Sequence, residues 1–213
     1  KFIFCYDISG EVSMQELFNL NNKTLYDIDT TVLITSSFNM TEDAIYFINN
    51  KAVVITKDRT NDFYEIPNEL YELFEEEDLQ NKKELTLIDE IKKKILSSLN
   101  SNQKVFVFMN VLTYLDKPFK EKLIRYLKLA NKRIINYTTE IEETLFLDYI
   151  TVIYDNKVIM EGLKEQVLQE EKILKKLGFH LPFIVELSNG LKYYGLVDKI
   201  YFKNEELVNA LWK

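Results

Sequence analysis

Of 213 residues, only one is cysteine, one histidine, one tryptophan, three proline and five glycine. Each scarcity excludes something. Cys5 has no partner within the sequence, so no disulfide can form inside it, and the lone His180 rules out a two-histidine metal site. Resident-metal chemistry is therefore not expected. Glycine is absent from the whole stretch between Gly10 and Gly162. A phosphate-wrapping loop of the form G-x-x-x-x-G-K-[ST], which needs glycines to bring backbone N–H groups onto a triphosphate, cannot occur there. Long apolar runs are missing too: Val105 to Met109 falls far short of a membrane span, and no signal-peptide pattern opens the sequence. Positive charge is in deficit, with 27 Lys and Arg against 34 Asp and Glu, for a net charge of −7 at pH 7. No basic stripe interleaves with aromatic residues, so a nucleic acid partner is not expected.

What is present is an ordinary globular mix, 46% hydrophobic and 29% charged. The expected organisation is one large domain, or one domain with a small appendage, in the cytoplasm. The stretch that organises the rest is Lys104 to Asp116, KVFVFMNVLTYLD. Its run Val105 to Met109 has strand length and β-forming residues, and it lies between two helix-like segments. Thr86 to Asn100 places Leu87, Ile88, Ile91, Ile95 and Leu99 on one stripe, and Lys117 to Leu129 turns Phe119, Leu123, Ile124 and Leu127 inward. A continuous apolar strand between amphipathic helices marks a parallel sheet buried on both faces, hence an α/β fold.

Along the chain, Lys1 to Ile8 reads as an opening strand, Val12 to Asn19 as a short helix and Thr30 to Thr35 as a buried strand. Ala44 to Ile55 reads as a β-hairpin about Asn49-Asn50. Pro67 stands where a helix would begin ahead of NELYELFEEEDL, and Glu75 to Asp78 read as a solvated helix face or end. Arg133 to Tyr137 is a further strand, and a short acidic helix over Glu140 to Phe146 leads to a hairpin turning at Asp155-Asn156. After Gly162 the composition turns helical, which sets a soft boundary between residues 1–162 and 163–213. Helices are expected over Lys164 to Leu177, stopped by Gly178, from Pro182 to Gly195, and in a last segment capped by Asn204. His180 reads as a loop residue and Cys5 as a small core hydrophobe. Trp212 reads as an anchor on the body or across a dimer, and Tyr193-Tyr194 as an interface or helix-end core.

From Leu85 onward, order and spacing resemble an ABC-type ATPase domain, most closely the energy-coupling-factor (cobalt-transport-like) transporter ATP-binding subunits. Lys104 to Asp116 is similar to the family's strand plus DEPTSGLD, with Leu115-Asp116 keeping the final pair. Leu85 to Leu96 occupies the slot of the LSGGQ signature and its helix. Arg133 to Thr144, RIINYTTEIEET, resembles the switch region, and Asp148 to Gly162 the hairpin after it. KILKKLGFHLPFIVELSNGLKYYG and EELVNALWK are similar to that subfamily's C-terminal extension. The resemblance implies a P-loop NTPase core, trimmed in its N-terminal half, with a helical extension that holds a dimer contact. It further implies head-to-tail dimers in which each ATP lies between one chain's phosphate loop and the other's signature.

The departures fall on the chemistry. In the register of the resemblance, Thr41, Glu42 and Asp43 replace the phosphate-loop Gly, Lys and Ser, and a glutamate facing a triphosphate repels it. Met109 takes the Mg²⁺ carboxylate slot and Asn110 the catalytic glutamate slot; a thioether is no ligand for a hard cation, and an amide takes no proton from water. Thr139 takes the switch histidine slot, and Thr86, Leu87 and Ile88 take the place of Ser-Gly-Gly. The expectation is therefore a non-catalytic pseudo-ATPase, with no catalytic, cofactor or metal residue to name. It is expected as a homodimer, or as a heterodimer with an ABC-type ATPase, with a membrane-embedded coupling subunit as the route to the inner face of the membrane. Two alternatives stand beside it: an ATP-binding transporter subunit with a non-standard nucleotide site, and an unrelated small-molecule enzyme.

Overall fold

The structure, a computed structural model, describes residues 28–34, 52–58, 65–155 and 157–212. Six strands form one sheet: β1 (Thr30–Ile34), β2 (Ala52–Ile55), β3 (Val105–Met109), β4 (Arg133–Thr138), β5 (Tyr149–Tyr154) and β6 (Lys157–Leu163). Their spatial order is β2-β3-β4-β1-β5-β6. All neighbours are parallel except β5 and β6, a hairpin whose turn residue Asp155 takes φ 49°. The run TTVLI is buried at all five positions of β1. Its branched residues suit a pleated surface covered on both sides.

Alternation along the strands sorts side chains to two faces. One face carries Val32, Ile34, Val107, Ile135, Tyr137 and Ile153. The opposite face is divided. Its β2–β4 half, with Phe106, Phe108 and Ile134, packs under α1 (Asn68–Phe74), α2 (Glu77–Gln80), α3 (Leu87–Ser98) and α4 (Lys117–Leu129). Its β1–β6 half, with Leu33, Ile150, Val152 and Met160, packs under the C-terminal helices. These are α5 (Lys164–Val167), α6 (Glu171–Lys176), α7 (Phe183–Tyr193) and α8 (Asn204–Leu211). Residues on both sides of Gly162 thus share one apolar cluster. Fully burying each phenylalanine of β3 contributes about 1.5–3 kcal/mol.

The seam between the halves is polar. Thr31 of β1 and Asn136 of β4 are register partners there, and both are buried. Lys120 of α4 donates to Glu143 Oε1 at 2.9 Å, with both side chains almost fully shielded from solvent. Thr31 Oγ1 donates to the Glu143 carbonyl at 3.4 Å. Burial pushes the Glu143 carboxyl above its ordinary pKa, against the lowering pull of Lys120. One ion pair therefore ties α4 to the segment after β4 and, through Thr31, to β1.

Several expectations change in detail. The acidic segment after β4 is a 3-10 helix, Ile141–Leu145. The helix after Pro67 breaks at Glu75, whose φ of 58° makes a left-handed cap, so two helices replace one. Residues 164–177 also form two short helices, interrupted at Glu170 with ψ 46°. Asn204 is the first helical residue rather than the cap; Lys203 occupies the cap position without a side-chain bond. On α3, Leu96 is fully buried and Ile88 is 42% exposed, so the inward stripe is rotated towards Leu96. Trp212 is 86% exposed and Tyr193 85%, which removes packing on the body for Trp212 and helix-end core for the tyrosine pair. Ala52–Ile55 pairs in parallel with β3. The proposed partner of its hairpin, the opening strand, the short helix after it and Cys5 lie outside the described residues.

Breaking the seam from one side strands a buried charge. Lys120→Met is expected to lower stability by about 3–5 kcal/mol at neutral pH, whereas Lys120→Met with Glu143→Leu is expected to restore most of it. Because the Glu143 pKa is raised, the single variant's deficit should shrink as pH falls through that pKa and the carboxyl protonates. Urea titrations of both variants at neutral and mildly acidic pH check the size and the sign.

Candidate functional site at the carboxyl ends of the strands

In an open, mainly parallel sheet, ligands bind beyond the carboxyl ends of the strands, near the point where strand order reverses. Here β4 connects to β5 across β1, so the ends of β3, β4 and β1 frame that place. β3 ends at Met109, half-buried against the Val32–Tyr137 cluster. Asn110 follows with φ 54°, the left-handed region that Asn tolerates better than most residues. Its N–H donates to Tyr137 O at 2.7 Å, which extends the β3–β4 ladder by one step. Its Oδ1 accepts from Thr139 N–H and from Thr139 Oγ1, each at 3.4 Å. Thr139 Oγ1 also lies 3.3 Å from Glu140 Oε1, and Glu140 N–H donates to Thr138 Oγ1 at 3.0 Å.

The structure brings Asn110, next to Met109, into contact with Thr139, residues that the family resemblance assigns to neighbouring slots. No carboxylate stands on the last residue of β3 or the one after it. A hard divalent cation takes oxygen ligands, chiefly carboxylates, and the one amide oxygen here is already shared by two donors from Thr139. Met109 and Asn110 themselves supply no carboxylate for a magnesium ion. Among the described residues there is no group of three or more His, Cys, Asp or Glu placed to hold a metal. Thr41, Glu42 and Asp43 lie outside the described residues.

Beyond Asn110 the chain makes a 3-10 turn, Leu112–Tyr114, and reaches Asp116, which caps α4 by accepting from Phe119 N–H at 2.8 Å. Lys92 of α3 holds the same carboxylate at 3.3 Å, pairs with Glu76 as well, and sits 5.0 Å from the Phe119 ring centre. Burial alone would raise the Asp116 pKa; the Phe119 amide and Lys92 bring it below the ordinary value. Sequence reasoning missed Lys92, and nothing separates it in sequence from Lys93 and Lys94 except its phase on the helix.

Thr86, Leu87 and Ile88 stand at the start of α3, where Thr86 and Asp89 form a capping box. Asp89 Oδ2 accepts from Thr86 N–H at 2.8 Å, from Thr86 Oγ1 at 2.7 Å and from Lys82 at 2.6 Å. Burial opposes ionisation of Asp89, but these bonds outweigh it and lower its pKa to about 2. The capping box takes up the Thr86 and Asp89 amides at this helix start. His180 is exposed in a loop.

The sheet order and flanking helices are those of the ABC-type ATPase fold. The chain superimposes on cbiO1 from Clostridium perfringens, described as part of the ABC transporter complex cbiONQ, with a TM-score of 0.52 at 15% identity. That match covers 71% of this chain and 83% of the other. It also superimposes on the ADP conformation of MJ1267, an ATP-binding cassette of an ABC transporter, with a TM-score of 0.51 at 10% identity over 71% and 86% of the two chains. In sequence, the chain is similar to energy-coupling factor transporter ATP-binding proteins. It is 29% identical over 160 residues to EcfA1 of Ureaplasma parvum serovar 3, covering 69% of this chain and 54% of that protein. It is 30% identical over 116 residues to EcfA1 of Lactobacillus delbrueckii subsp. bulgaricus, covering 52% and 41%. The chain thus spans about half, or less, of these relatives' length. No family model matches it.

If Asn110 serves the backbone of this turn, its replacements should rank by φ. Asn110→Ala and Asn110→Gly both remove the acceptor for Thr139, but only alanine strains the left-handed backbone. Alanine is expected to be less stable than glycine by about 1 kcal/mol, read from chemical denaturation of the pair.

Proposed function

We propose that the chain is a non-catalytic, ABC-ATPase-like protein, related to energy-coupling factor transporter ATP-binding subunits, that acts as a scaffold or brake for a partner. The observation that carries this reading is the end of β3, where Met109 and Asn110 stand and the Asn110 amide is bound to Thr139. Phosphoryl transfer to water relies on a cation to neutralise developing charge and a base or water-positioning group at the attacking oxygen. A thioether and an engaged amide supply neither. At the start of α3, Leu87 and Ile88 carry bulky side chains and the Thr86 and Asp89 amides are bonded within the capping box, which supports the same reading.

The partner proposed is an ABC-type ATPase, in a heterodimer, or a second copy of the chain. The contact with a membrane proposed here is through a membrane-embedded coupling subunit; no described helix is long and apolar enough to cross a bilayer. The names of the relatives favour a second reading, an ATP-binding subunit with a non-standard nucleotide site.

Ligand that binds only the folded state raises its melting temperature by mass action, by about 2.7 kcal/mol of stability at a hundredfold excess over Kd. A melting temperature unchanged by millimolar Mg-ATP is expected. A reproducible, magnesium-dependent rise would replace the proposed reading with the second one.

A further inference from the structure

A groove of about 840 Å³ runs between α4, the 3-10 helix Ile141–Leu145 and the first turns of α7 and α8. Its floor is apolar, with Ile124 and Ile184 buried and Phe146 and Phe202 half-buried. Its walls carry two large side chains left open to solvent: Leu129 of α4 is 76% exposed and Phe183 of α7 is 74% exposed.

The rim is charged, and unequally so. Lys117, Arg125, Lys128 and Lys203 line the groove against only Glu121 and Glu142, a surplus of two positive charges on a chain whose net charge is −7. Lys117 is answered by Glu121 at 3.8 Å and Lys203 by Glu206 at 3.9 Å. Among the described residues, Arg125 and Lys128 form no contact ion pair, although Lys128 helps hold the Asp148 carboxyl below its ordinary pKa; both cations are exposed. They stand on α4 within one turn of Leu129, so unpaired cations and uncovered apolar surface belong to one patch.

We propose that this groove docks an acidic, amphipathic helix of a partner protein. The shape favours a helix over a small molecule. Small-molecule sites enclose most of their ligand, whereas a trough with exposed Leu129 and Phe183 walls suits a helix laid along it by its apolar side. The charge fixes the chemistry: the occupant's flanks carry carboxylates that reach Arg125 and Lys128, and its i, i+3, i+4 face covers the floor. Opposite charge at the rim steers encounter and rejects basic partners.

The test uses the full chain and a fluorescein-labelled peptide of about 15 residues, with leucine at i, i+3, i+4 and i+7 and glutamate at most other positions. Its counterpart has lysine for every glutamate. Anisotropy titrations are expected to show saturable binding of the glutamate peptide, at least about tenfold tighter than the lysine peptide. The pair Arg125→Glu and Lys128→Glu, and separately Phe183→Ser, are expected to weaken it by about tenfold or more. These side chains are exposed, and an unchanged melting temperature confirms each variant is folded. No binding, equal binding of the lysine peptide, or binding indifferent to the variants would overturn the proposal. So would two other outcomes. Charge reversal that abolishes binding to phosphatidylglycerol-containing vesicles would assign the groove to an anionic lipid surface. Charge reversal that turns a dimer into a monomer in sedimentation would assign it to a second copy.

Discussion

The face of the sheet under the helices is held together across a polar seam. Two apolar clusters meet there, one beneath α1 to α4 and one beneath α5 to α8, and neither alone covers the face. The Lys120–Glu143 pair, supported by Thr31, is the contact that crosses the boundary at full burial. An ion pair in that place adds little net stability over a well-packed apolar pair, but its loss from one side is costly, so it fixes how α4 sits relative to the segment after β4. The strand ends depend on that placement, because Thr139 and Glu140 lie just before this segment and Asp116 begins α4. The groove that we assign to an acidic helix opens on the same boundary.

At the strand ends, several polar groups of the described residues are engaged by local hydrogen bonds. Asn110 closes on Thr139, Thr139 reaches Glu140, Asp116 is divided between the α4 amide and Lys92, and Thr86 closes on Asp89. A ligand arriving there would compete with bonds already made, of which the Asn110–Thr139 pair is the part-buried one. A surface satisfied in this way suits a protein that is held by partners, and fits the scaffold proposed above.

Much of the architecture was legible in the sequence because it rests on periodicity. The run VFVFM could be nothing but a buried strand, and Phe119, Leu123, Ile124 and Leu127 kept the helical spacing that turns them inward. That Asn110 meets Thr139 followed only from the family resemblance of Lys104 to Asp116 and Arg133 to Thr144, not from composition or periodicity. What escaped was set by tertiary contact or by single backbone angles. Ile88 and Leu96 compete for the same helical stripe, and only packing against the sheet decides between them. The breaks at Glu75 and Glu170 fall on residues with no turn propensity of note. Lys92 and Lys120 look like any solvated lysine until their partners from distant elements are in place.

The central claim, that this chain holds partners without driving hydrolysis, is most directly tested by mixing. The intact ABC-type ATPase of the same organism would be titrated with this chain while ATP hydrolysis is followed, with complex formation monitored by sedimentation. A complex whose hydrolysis falls in proportion to the bound chain is the expected result, since Leu87 and Ile88 put bulky side chains where the resemblance has glycines. Hydrolysis stimulated above that of the ATPase alone would contradict it and make this chain a working half of a motor.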